Sequence, residues 1–134
     1  MEISNNLSPI DIAMSGLRAQ NKNMEIISSN IANTRTTNAG DGEPYRRIEA
    51  KMRAANGGIS CVEVEAVTED MSRFQELLDP GHPDADANGY VQMPNVNLPM
   101  ELIKMNDAKK LYQANAAVMK RYQQMADTTL ELLR

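Results

Sequence analysis

The segment Asp84-Ala85-Asp86-Ala87-Asn88-Gly89 sets oxygen-bearing side chains at alternate positions and closes on a glycine. An EF-hand calcium loop opens this way, with ligands at loop positions one, three and five and glycine at six. The pattern fails at loop position twelve, where a bidentate glutamate belongs and Asn95 stands. The preceding Pro80-Gly81-His82-Pro83 also lacks the residues of an entering helix. The competing reading is an Asx-rich turn, in which Asp and Asn side chains mimic backbone turns and Gly89 supplies a positive φ.

Other candidate chemistry is thinner. His82 is the single histidine, and no serine or cysteine nucleophile is evident beside it. General-base work is therefore not expected of it, and an exposed or hydrogen-bonded loop residue is. The single cysteine, Cys61, excludes an internal disulfide and a zinc site, and reads as a small apolar residue in a strand. Glu63 and Glu65 alternate with Val62 and Val64, the pattern of a solvated strand face rather than of paired carboxylates in a cleft. Gly57-Gly58 is not followed by the Gly-Lys-Ser/Thr of a phosphate-cradling loop. Arg46-Arg47 is a short basic pair in a chain of formal net charge −4, which argues against nucleic acid. No catalytic residue, cofactor or metal is expected.

The elements that position these residues fall into three regions. Ser8 to Asn33 reads as an amphipathic helix, with Ser8 as N-cap, Pro9 at the first helical position and Asp11 at N3. Ile10, Ala13, Met14, Leu17, Met24, Ile27 and Ile31 follow spacings that place them on one face. Gln20, Asn21 and Ser28 interrupt that stripe, either fixing register or lying at its solvent edge. A second helix is expected from Leu98 to Leu133, capped by Asn97, with Glu101 favouring its N-terminus. Leu98, Met105, Tyr112, Met119, Ala126 and Leu133 recur every seven residues, and Leu102, Ala108, Ala116, Tyr122 and Leu130 form a companion row. Such a sustained repeat indicates coiled-coil packing.

Between the helices, Ile48, Ala50 and Met52, and then Val62, Val64 and Ala66, alternate with charged residues as half-buried strands do. Asn56-Gly57-Gly58 between them is a hairpin signal. Tyr90 to Met93 reads as a further strand, and Arg73 to Leu78 as a helical turn. The expected fold is therefore α+β: long N- and C-terminal helices packed as a coiled coil (residues 1–37 and 97–134), with a small β-rich module (residues 38–96) inserted between them.

Composition agrees with a chain that has little core of its own. Of 134 residues 42% are apolar, with one Phe, four Tyr and no Trp, so the bulky side chains that fill compact cores are scarce. Ten Met suit either ordinary helix cores or surfaces that adapt to several neighbours. Folding coupled to assembly is the expectation. The N-terminus lacks the positive flank and apolar run of a cleavable secretory signal, and no stretch approaches the roughly 18 apolar residues of a membrane span. These features alone point to the cytoplasm and to no membrane insertion.

Two stretches carry a resemblance. Ser15-Gly16-Leu17-Arg18-Ala19-Gln20, followed by Ser29-Asn30-Ile31-Ala32-Asn33-Thr34, is similar to the N-terminal signature of the flagellar rod and hook axial family. Gly81-His82-Pro83-Asp84-Ala85-Asp86-Ala87-Asn88-Gly89-Tyr90-Val91, continuing through Pro94-Asn95-Val96-Asn97, resembles the mark of its FlgC proximal-rod branch. Pro44-Tyr45-Arg46-Arg47 and Tyr112-Gln113-Ala114-Asn115 fit the same branch.

The resemblance implies a structural subunit of the basal-body rod, located in the periplasm. It would be exported through the flagellar type III apparatus without a cleaved signal, and would polymerise with itself and other rod proteins. It also implies terminal helices that pack as a coiled coil lining the axial tube. Ile10, Met14, Leu17, Met24, Ile27 and Ile31 would then face Met105, Tyr112, Met119, Ala126 and Leu133. Asn30, Asn33 and Thr34 would cap the first helix or fix the turn into the insert, and Asn115 would be either an intersubunit hydrogen-bonding residue or solvated. Two other readings are a soluble coiled-coil component of another secretion system and a calcium-binding module centred on Asp84, Asp86 and Asn88.

Overall fold

A computed structural model describes residues 8–55 and 61–133. Two helices frame two small antiparallel sheets, so the fold is α+β. Helix α1 runs Pro9–Ala32. Ser8 holds an extended backbone and its Oγ accepts from the Ile10 amide at 3.2 Å, while Asp11 Oδ2 accepts from the Ser8 amide at 3.1 Å. The reciprocal pair is a capping box, which supplies acceptors for donors that have no intrahelical partner. At the far end Asn33 Nδ2 donates to the Ser29 carbonyl and Thr34 Oγ1 to the Ile31 carbonyl, so the orphan acceptors are also met.

Strands β1 (Ile48–Ala54) and β2 (Val62–Glu69) pair antiparallel, from Ile48 opposite Glu69 to Ala54 opposite Val62, with an irregularity at Lys51/Met52. The hairpin signal at residues 56–58 lies outside the described residues. Cys61 sits one residue before β2 rather than within it, and its Sγ lies 3.8 Å from the Asp11 carbonyl. The Val62 amide donates to Ser15 Oγ at 3.0 Å, so this hairpin folds back along α1. Glu63 and Glu65 are paired with Arg53, and Glu63 is exposed at the strand's outer face.

Strand β3 (Gln75–Leu78) pairs with β4 (Tyr90–Met93), from Gln75 opposite Met93 to Leu78 opposite Tyr90. The expected helical turn over Arg73 to Leu78 is thus corrected to a strand. Gln, Glu and Leu are good helix formers, but a run this short cannot repay helix nucleation. β4 offers it a ready ladder, which the Asp79 amide extends by donating to the Gly89 carbonyl at 2.9 Å.

Helix α2 runs Leu98–Leu132, with Asn97 Oδ1 accepting from the Met100 amide at 3.2 Å and Pro99 tolerated in the first turn. It packs on α1 in the opposite chain direction: Asn30 meets Glu101, and Gly16 meets Asn115. The buried apolar residues gather along α1 and where the insert meets both helices: Ala13, Ala19, Ile26 and Ile27 from α1, Val91 and Val96 from the insert, and Ala108 from α2.

Candidate assembly surface and its buried anchor

At the junction of helices and insert lies a polar network, built from α1 inward. Asn30 sits at the inner face of the last full turn of α1 and is almost wholly buried. Its Nδ2 donates to the Ile48 carbonyl at 2.8 Å and to Glu101 Oε2 at 3.0 Å. Its Oδ1 accepts from the Ile48 amide and from Tyr45 Oη, each at 3.0 Å. One side chain therefore ties the start of β1 to α1 and α2 together.

Glu101 is 1% exposed. Its Oε1 accepts from Arg47 Nε at 2.8 Å. Arg47 is buried too, and its Nη1 pairs with Glu49 and, at 3.2 Å, with Asp70 Oδ2. Lys104 Nζ reaches Glu49 Oε1 at 3.1 Å. Burial by itself lowers the Arg47 pKa, but hydrogen bonds and charge from Glu101 and Glu49 more than offset it, so the net shift is upward. The Arg47 hydrogen bond, then that of Lys104, holds the Glu49 carboxyl below its ordinary value. Asp70 is also lowered, first by the Ser72 amide and hydroxyl and then by Arg47. No buried side-chain nitrogen or oxygen among the described residues lacks a partner. A buried charge is tolerable only when paired and hydrogen-bonded in this way.

Asn95 completes the anchor. Its Oδ1 accepts from the Arg47 amide at 2.8 Å, and its Nδ2 donates to the Asp70 carbonyl at 2.8 Å and Ser72 Oγ at 2.9 Å. Arg46 lies over the Phe74 ring, 4.2 Å from its centroid, and closes the same corner. The Asp-rich loop stands apart from this network. Asp86 Oδ1 accepts from the amides of Asn88 and Tyr90 at 2.8 and 2.9 Å, which is an Asx turn. Gly89 has φ +81, and a Cβ there would also lie 3.1 Å from Pro80 Cγ. His82 Nδ1 accepts from the Asp84 amide at 3.1 Å, the Gly81 amide donates to Asp79 Oδ1 at 3.3 Å, and Pro83 is exposed. Asp84 Oδ2 accepts from Thr37 Oγ1 at 2.7 Å, which clips the loop to the segment leaving α1. Asp84 and Asp86 thus spend their carboxylates on the chain itself, and no three His, Cys, Asp or Glu side chains among the described residues converge as metal ligands.

The helix residues divide differently from their sequence rows. Ile27 is buried, and Ile10, Met14, Leu17, Met24, Ile31, Met105 and Met119 are half-buried. Tyr112, Ala126 and Leu133 are exposed. Of the companion row, Ala108 is buried and Tyr122 half-buried, while Leu102, Ala116 and Leu130 face solvent. Two contacts to α1 fall in another row, Glu101 to Asn30 and Asn115 over Gly16, and Ala108 between them is buried. A further seven-residue row, Leu111, Val118, Met125 and Leu132, is 52, 47, 66 and 82% exposed. Sequence reasoning missed the pair of Arg47 and Glu101, because Arg47 read as half of a short basic pair and Glu101 as an acid favouring the helix N-terminus. The available signal was that Arg47 precedes the inward-facing Ile48, and that Glu101 stands seven residues before Ala108.

Comparison with known proteins bears on this architecture. The family described as Flagella basal body rod protein matches residues 10–39, and that described as Flagellar basal body rod FlgEFG protein C-terminal matches residues 87–132. The flagellar basal-body rod protein FlgC of Salmonella typhimurium is 39% identical over 132 residues, covering 94% of this chain and 96% of that protein. The chain belongs to the FlgC family of flagellar basal-body rod proteins. The FlgC proteins of Agrobacterium fabrum and Bacillus subtilis are 38 and 33% identical, over 92% of this chain and 91 and 95% of their own lengths. As a family member it is a structural subunit of the rod, located in the basal body. The matched segments cover α1 and α2, and with them Asn30, Asn95 and Glu101 of the buried anchor.

Proposed function

We infer that this FlgC-family chain polymerises into the proximal rod through its terminal helices, which pack as a coiled coil and contribute to the wall of the axial channel. Residues 1–37 and 97–134 form the axial unit in this reading, and residues 38–96 form a module carried further out. The role is structural rather than enzymatic. The partners are further copies, other rod proteins and the type III export apparatus, with export to the periplasm proceeding without a cleaved signal.

The observation that carries the reading is the exposed row Leu111, Val118, Met125 and Leu132, which flanks the row of α2 that meets α1. Burying four such side chains is worth on the order of 5–10 kcal/mol. Association costs roughly 4–15 kcal/mol in lost freedom. One such contact is near break-even, so the chain stays dispersed until a lattice offers several neighbours at once. Assembly at a growing tip has this property.

The test is recovery of a short tag, placed between β1 and β2 at residues 56–58, in purified basal bodies. Recovery in an export-competent strain and its absence in an export-deficient one support the reading. A stable tagged chain that stays in the cytoplasm of both strains refutes it.

A further inference from the structure

α1 and α2 carry rows of matched seven-residue spacing: Asn30, Asn23, Gly16 and Pro9 on α1, and Glu101, Ala108, Asn115 and Tyr122 on α2. Two contacts pin the rows together. Asn30 donates to Glu101 at 3.0 Å. The Asn115 amide occupies the space over Gly16, where a Cβ would lie 2.6 Å from Nδ2 and 3.1 Å from Cγ. The two contacts are two seven-residue repeats apart on both helices.

A helix pair joined by apolar repeats alone can slide by one repeat and exchange like for like. These two contacts do not survive such a slide. In one direction Gly16 would meet the Tyr122 ring and Asn30 would meet Ala108, losing its carboxylate. In the other, Gly16 would meet Ala108 across a void and Asn115 would meet Pro9. Either slip also withdraws Glu101 from Arg47, leaving the guanidinium without its one fully buried carboxylate. Glycine weakens a helix interior, and at position 16 that weakness is offset by the close approach it permits.

We propose that Gly16 and Asn115, together with Asn30 and Glu101, set the axial register of the helix pair and exclude pairings slipped by one repeat. Gly16 and Asn115 are the positioning residues in this account, and their contact lies within one chain, independent of how neighbouring subunits pack.

The experiment uses the full chain in a Cys61→Ser background with cysteine pairs read by a short bis-maleimide. Gln20 and Leu111 border one groove beside the helix contact, so the pair Gln20→Cys/Leu111→Cys reports the native register. Gln20→Cys/Val118→Cys reports the slipped one. Gly16→Ala is expected to lower the melting temperature by roughly 4–8 °C, and to cut the native-register crosslink about threefold as the slipped crosslink rises. Adding Asn115→Ala makes room for the new methyl and is expected to restore both readouts most of the way. The proposal is overturned if Gly16→Ala melts and crosslinks as the parent does. It is equally overturned if the double variant recovers no better than Gly16→Ala alone, which also covers the case in which the single variant fails to fold.

Discussion

Glu101 meets two donors from different parts of the chain, Arg47 through one oxygen and Asn30 through the other. Removing it takes from Arg47 the one fully buried carboxylate of the three it pairs with, leaving the partly exposed Glu49 and Asp70. Glu101→Ala is therefore expected to cost about 3–5 kcal/mol in a urea unfolding experiment. Replacing both partners, Arg47→Met with Glu101→Met, is expected to regain much of that loss, since no uncompensated charge remains. The pH response follows from Glu49 and Asp70, whose pKa values are lowered in the folded chain. The unfolded chain therefore takes up protons first. Their contribution is fully present above the ordinary carboxylate range, near pH 4, and is lost as pH falls through the lowered values. The melting temperature is expected to drop more steeply below about pH 4 in the parent than in Glu49→Gln/Asp70→Asn. Both carboxylates are partly exposed, so solvent screening keeps the difference small. At this scale the sequence was least legible. Glu101 reads as a helix N-terminal acid, and only the fold reveals that a strand's arginine lies against it.

The helices were the most legible elements, because their boundaries are written in local chemistry. Ser8, Pro9 and Asp11 specify the start of α1, and Asn97 that of α2, through hydrogen bonds that need no distant partner. Ser8→Ala is expected to destabilise the chain by about 1 kcal/mol, read as a shift of the urea midpoint without change of slope, whereas Ser8→Gly costs a few tenths. Alternation likewise made β1 and β2 legible. β3 was not, since the helix-forming tendency of Gln75 to Leu78 is overruled by a partner strand twelve or more residues away. The helix rows were half-legible. A seven-residue repeat shows in several rows of α2 at once, and apolarity pointed to Leu102 and Leu130 where the α1-facing row carries a glutamate and an asparagine.

For the molecule as a whole, the asymmetry of the two helices governs what is left over for neighbours. Pro9 is opposite Tyr122 by the spacing of the paired rows, so residues 123–132 of α2, roughly 15 Å of helix, run past the described start of α1. Met125 and Leu132 belong to the outward row on this stretch. Met125→Asp/Leu132→Asp is expected to leave the unfolding free energy of the isolated chain within about 0.5 kcal/mol of the parent, while incorporation into basal bodies and swarming are lost. Unimpaired swarming would remove that face from the assembly.

The buried anchor has a mechanical consequence. Apolar surfaces slide past one another at little cost, but a hydrogen-bonded ion pair sealed from water has a steep restoring force and no lubricant. Arg47, Glu101 and Asn30 stand at one junction between insert and helices, beside the separate hydrogen bond of Val62 to Ser15. A subunit cornered in this way behaves under twist as a braced joint: stiff at small angles, then yielding abruptly once water reaches the charges.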